Sequence, residues 1–122
     1  MGVALRIFVC DDSFGYRMLI GNWCELYEGV EAAGQATSAD ELLRLLPAAE
    51  ADVLLLDLML GEQRSSPELV ASIREAAPGI RIVLASSMPD DVLRTETERI
   101  GADGCCSKLA SADELFAAIT GH

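Results

Sequence analysis

Apolar residues in this chain come in runs of strand length, separated by segments of helical length. Residues 3–9, 31–36, 53–56, 80–85 and 104–107 read as five short strands, the second and fifth the weakest. Segments 14–27, 39–46, 67–76, 90–100 and 112–119 read as helices. Start signals fall where they should: Ser13, Ser38 with Glu41 three residues on, Ser66 before Pro67, and Ser111 with Glu114 three residues on. Stop signals follow at Gly29, Pro47, Pro78-Gly79 and Gly101. Strand–helix alternation of this kind predicts an α/β fold, a mostly parallel sheet with helices on both faces. The fourth helix is the thinnest. Its strongly apolar residues are Val92, Leu93 and Ile100, which predicts a loosely held element.

The 122 residues suit one domain, with no repeat, linker or low-complexity stretch. Apolar residues make up 51% of the chain, enough for a core. No run approaches the roughly 20 apolar residues of a membrane span, and the strongest, Val53 to Leu56, is stopped by Asp57. The first six residues lack the basic and apolar regions of a signal peptide, and Ile7 stands where a myristoylation signal starting at Gly2 would need Ser or Thr. Cys10, Cys24, Cys105 and Cys106 form no CxxC pair and read as reduced core residues, so the expected setting is cytoplasmic, without a membrane.

Charge narrows the function. Net charge is −11, from 20 acidic and 9 basic side chains, which argues against direct nucleic-acid binding by this chain. Eight of the cations are Arg and the ninth is Lys108, while the only histidine is His122, the last residue. Catalysis by an internal histidine is excluded, and so is a metal site built from several imidazoles.

Parallel α/β sheets bind ligands at the carboxyl ends of their strands. There the sequence places Asp11-Asp12, Asp57, Ser86-Ser87 and Lys108. Singly, each has a bland reading: a turn into a helix, a loop, a solvated lysine. Asp57 resists it best, because it ends a strand predicted to be buried, where an unpaired carboxylate is costly. Three carboxylates at one edge call for a cation, and oxygen ligands without histidine favour Mg²⁺. A divalent ion, a carboxylate nucleophile, a hydroxyl and an ammonium are the parts that take a phosphoryl group onto aspartate.

Taken together, the segments Val9-Cys10-Asp11-Asp12-Ser13, Asp52-Val53-Leu54-Leu55-Leu56-Asp57, Val83-Leu84-Ala85-Ser86-Ser87, Gly101-Ala102-Asp103-Gly104 and Lys108 resemble the receiver domain of bacterial two-component response regulators. Residues 30–36 and 108–115 are most similar to receivers of the NarL/LuxR type. The resemblance implies a flavodoxin-like, doubly wound five-stranded parallel sheet in the order 2-1-3-4-5, with five helices. It makes residues 1–122 a single receiver with no output domain in this chain, either excised or naturally alone. It implies Asp57 as phosphoacceptor, and Mg²⁺ held by Asp11, Asp12, Asp57 and the backbone carbonyl of Met59. Ser86 becomes the switch hydroxyl, and Lys108 pairs with the phosphoryl group. Implied partners are a histidine kinase or phosphotransfer protein as donor, an output domain or partner protein, and a second copy as a homodimer. Such a module catalyses its own aspartyl phosphorylation and dephosphorylation and turns over no external substrate.

The sequence departs from the family pattern at several points. Cys105 holds the switch position where receivers usually have Tyr or Phe, and Leu109 follows the lysine where many have a cis proline; a trans bond is expected here. The loop after Asp57 lacks the usual Met-Pro and is one residue longer, with Gly61 adding freedom. Met59 and Met88 flank the expected path of a hydrolysing water, which predicts slow loss of phosphate; the plainer reading makes them partly exposed fillers. The alternative function is an atypical receiver, a phosphorylation-independent interaction module. An aspartyl phosphatase would need a second carboxylate where Met59 stands, and an FMN carrier would not have so acidic a first loop.

Overall fold

The computed structural model describes residues 4–121. The predicted strand start at Val3, the Gly2 signal and His122 lie outside the described residues. Twelve elements follow in order: β1 (Leu5–Cys10), α1 (Phe14–Leu26), β2 (Val30–Ala36), α2 (Ala39–Ala49), β3 (Val53–Asp57), β4 (Met59–Leu60), β5 (Gln63–Arg64), α3 (Pro67–Ala76), β6 (Arg81–Ser86), α4 (Asp90–Ile100), β7 (Gly104–Ser107) and α5 (Ala112–Thr120). Strands β2-β1-β3-β6-β7 form one parallel sheet, the predicted 2-1-3-4-5 order once the short β4–β5 ladder is set aside. Chain order reverses at β1 and β3, so the crevice beyond their carboxyl ends is the topological switch point.

Strand alternation divides the core. Phe8, Cys10, Leu54, Leu56, Ile82 and Leu84 face α2, α3 and α4, while Ile7, Val9, Val53, Leu55, Val83 and Ala85 face α1 and α5. Each strand thus buries both faces, which is why the central ones read as unbroken apolar runs. Along β2 the register slips at Ala33, and Gly34 takes φ +150° against the Phe8 ring; a Cβ there would lie 2.9 Å from that ring.

The serine caps form as read. Ser13, Ser38, Ser66 and Ser111 accept from the N–H groups of Tyr16, Glu41, Leu69 and Glu114, and Ser111 with Glu114 closes a full capping box. Glu41 reaches past Ser38 to the N–H of Thr37 instead. Pro47 does not stop its helix: α2 runs on to Ala49 and ends at Glu50, in the left-handed region at φ 53°. Proline forgoes only one N–H, the donor to the Leu43 carbonyl, which leaves the residues after it able to complete the turn; the Arg6 guanidinium donates to the carbonyls of Ala49 and Glu50 at 3.0 Å each. Helix α4 also corrects its sequence reading. Leu93, Glu96, Thr97 and Ile100 are all buried, Thr97 returning its hydroxyl to the Leu93 carbonyl. Two polar residues complete a stripe that hydrophobicity alone left thin.

Candidate functional site

β1 and β3 are neighbours in register, so their carboxyl ends bring Asp11, Asp12 and Asp57 together; one carboxylate oxygen from each lies within 4.8 Å of the others. Asp11 is 1% exposed, and its Oδ1 accepts the Ser13 N–H at 2.8 Å. Its Oδ2 is buried against the Lys108 ammonium at 2.7 Å, a close ion pair. Asp12 is exposed and accepts the Gly61 N–H at 3.0 Å. Asp57 accepts the Met59 N–H through Oδ1 and faces Lys108 Nζ through Oδ2, both at 3.2 Å.

Burial, then the charge of Asp11, pushes the Asp57 carboxyl up to about 6 against the opposing pull of Lys108. Burial works against the charge on Lys108, yet hydrogen bonding and charge from Asp11 and Asp57 prevail and leave its pKa raised. The ammonium also sits 5.0 Å from the centroid of the Tyr16 ring, within cation–π range.

Ser86 ends β6 and is buried; its Oγ accepts the Met88 N–H at 3.1 Å and its carbonyl accepts the Lys108 N–H at 2.9 Å. Asp12, Asp57, Met59, Gly61, Ser86, Ser87, Met88 and Lys108 line one open cleft of about 490 Å³. Four of the predicted site residues therefore line the cleft with the two methionines, and Asp11 joins them through its pair with Lys108. Cys105 does not join them: it lines a separate groove with Leu93, Arg94 and Leu109, between α4 and α5. No peptide is cis among the described residues, so the bond before Leu109 is trans.

A hard divalent cation suits this donor set. Three carboxylates converge, two of them buried, every side-chain donor is an oxygen, and a single ammonium offsets their charge. Sequence reasoning missed two contributors. Tyr16 gave no signal because its role depends on where Lys108 falls. Gly61 was noticed for its freedom; its φ of +67° turns the β4–β5 hairpin so that its N–H meets Asp12.

Fold and site define a class, and comparison with known proteins agrees. Residues 7–120 match the response regulator receiver domain, and the chain belongs to that family. It is 26% identical over 115 residues to the response regulator GacA of Pseudomonas aeruginosa, covering 94% of this chain and 53% of GacA. To VraR of Staphylococcus epidermidis it is 22% identical over 117 residues, covering 96% and 56%. The chain spans about half the length of these curated relatives. Among solved structures, the signal receiver domain of NarL from Mycobacterium tuberculosis superposes with a TM-score of 0.83 at 23% identity, over 98% of this chain and 96% of that one. A LuxR-family response regulator from Aurantimonas gives 0.82 at 24%, over 97% and 84%. At such identities these two structures speak for the fold alone.

Proposed function

We propose that this receiver takes a phosphoryl group from a phosphohistidine donor onto Asp57 in a Mg²⁺-dependent reaction, and that the modification alters partner binding. The observation that carries the reading is Lys108 Nζ, held between Asp11 Oδ2 and Asp57 Oδ2 at the mouth of an acidic cleft. Asp11, Asp12, Asp57 and the Met59 carbonyl are the groups that would hold Mg²⁺; the ion when bound supplies charge neutralisation for the phosphoryl oxygens and the carboxylates. The Asp57 carboxylate attacks phosphorus, the P–N bond of the donor breaks, and the imidazole leaves with the electron pair. Lys108 stabilises charge on the phosphoryl oxygens, and the Ser86 hydroxyl is the nearby group able to donate to the new phosphate. Tyr16 keeps the ammonium over its ring while the carboxylates change charge.

Retention of all five site side chains favours this over a phosphate-independent interaction module. The donor is a histidine kinase or phosphotransfer protein, and the output is a linked domain, a partner protein or a second copy of the chain. The net charge of −11 supports recognition of protein rather than nucleic acid. The setting we propose is cytoplasmic; no helix among the described residues is long and apolar enough to cross a membrane. Incubation with Mg²⁺ and acetyl phosphate tests the reading by intact mass. One base-labile phosphate, absent in Asp57→Asn, is expected; no adduct together with no Mg²⁺ binding would favour the phosphate-independent module.

A further inference from the structure

Helix α4 carries a carboxylate that is covered from solvent by two half-exposed arginines, at a level of burial usual for an apolar side chain. Glu96 is 7% exposed. Its two oxygens are divided between two guanidiniums, Oε1 to Arg64 on β5 and Oε2 to Arg99 one turn along α4. Arg99, then Arg64, hold the carboxyl below the usual carboxylate range. Arg99 also donates to the Ser65 carbonyl at 3.0 Å. Ser65, itself 3% exposed, donates its hydroxyl to the Asp57 carbonyl at 2.8 Å and its N–H to the Leu58 carbonyl at 2.7 Å.

The β4–β5 hairpin is also tied to the cleft, through Gly61 N–H on Asp12 at its turn and through Met59 N–H on Asp57, where Met59 stands directly across the ladder from Arg64. The hairpin thus holds two of the three carboxylates through β4 and its turn, and Glu96 of α4 through Arg64 on β5. Every link is a directional polar bond, so a change at one end is passed on by exchange of partners rather than absorbed by soft packing. A cation drawing on the Asp12 carboxylate competes with the Gly61 N–H, and new charge on Asp57 acts on the Met59 N–H. Cys105, in its separate groove, has no ring to carry a signal along β7.

We propose that the hairpin spanning residues 59–64, jointed by the Arg64–Glu96 pair, couples loading of the acidic cleft to the packing of α4. This deepens the phosphoacceptor reading and rests on it. Coupling is reciprocal, so disturbing the joint must also change the affinity of the cleft for its cation.

The test is amide hydrogen exchange over residues 90–100 in the full chain, without ligand, with Mg²⁺, and with Mg²⁺ plus beryllofluoride. Mg²⁺ affinity is measured in parallel by titration calorimetry. Arg64→Met removes one side of the joint, and Arg64 is half exposed, so the variant leaves Glu96 its Arg99 partner. Glu96→Gln is the second variant, and Arg74→Met, which breaks the separate pair with Asp103, is the control. Loading is expected to change α4 exchange by about fivefold or more in the natural chain and the control. Both joint variants should lose most of that response and shift Mg²⁺ affinity several-fold. Loading that leaves α4 exchange unchanged, or changes it in Arg64→Met and Glu96→Gln as much as in the natural chain, overturns the coupling alone. Failure of the cleft to take Mg²⁺ or beryllofluoride overturns the phosphoacceptor reading and the coupling with it.

Discussion

Asp57 is held in a setting that disfavours its own charge, and this has a measurable cost. In the cation-free fold its carboxyl is pushed up to about 6 by burial and by Asp11, whereas an unfolded aspartate ionises near pH ~3.9. Between those values the folded chain binds the extra proton, so stability falls as pH rises through the window. Above it the charged Asp57 costs the fold about 2 to 3 kcal/mol. Asp57→Asn is therefore expected to be more stable than the natural chain by about 2 kcal/mol near pH ~7.5, with the gap closing below pH ~4. Urea unfolding in a chelating buffer measures it, and a pH-independent gap would contradict the assignment. Met59 and Met88 bear on the reverse reaction. Both line the cleft and neither side chain can orient a water for attack on a phosphoryl group. Phosphate on Asp57 should be lost slowly, and Met59→Asn should shorten its half-life several-fold in a chelator-quenched decay series.

At the scale of elements, local chemistry was most readable where a side chain acts on its own backbone. The serine caps and the glycines after α1, α3 and α4 depend on nothing distant, and they stand where sequence placed them. What depended on a distant partner was not readable. The last carbonyls of α2 are served by Arg6, more than forty residues before Pro47 in sequence. Helix α4 is buried on a polar stripe because Arg64 meets Glu96, and the β4–β5 hairpin was hidden in a stretch with only Gly61 as a turn signal. Two glycines separate these cases by experiment. A Cβ at Gly21, inside α1, meets nothing within 4 Å, so Gly21→Ala should stabilise by about 0.5 to 1 kcal/mol. Gly34→Ala combines a positive φ with a clash against Phe8 and should cost about 1 to 3 kcal/mol or more. Thermal and urea unfolding report both.

For the whole molecule, the sheet order turns scattered residues into a site. Asp11, Asp57, Ser86 and Lys108 are far apart along the chain, and each alone has an ordinary structural explanation. They became legible together because parallel strands deliver their carboxyl ends to one edge, a rule that needs only strand positions. Side-chain geometry was beyond that rule, which is why Tyr16 beside Lys108 and the hairpin bond to Asp12 emerged only from the fold. Composition looks different in this light. Part of the net charge of −11 is gathered into one cleft, and the one lysine in the sequence stands in it. On the proposed function, Asp57 is the residue that takes the phosphoryl group. Borohydride reduction of the chain after treatment with Mg²⁺ and acetyl phosphate tests it most directly, because an aspartyl phosphate is reduced to homoserine at its own position. Peptide sequencing by mass spectrometry should find homoserine at position 57 and only after phosphodonor treatment. An unmodified Asp57, or homoserine at Asp11 or Asp12 instead, would contradict it.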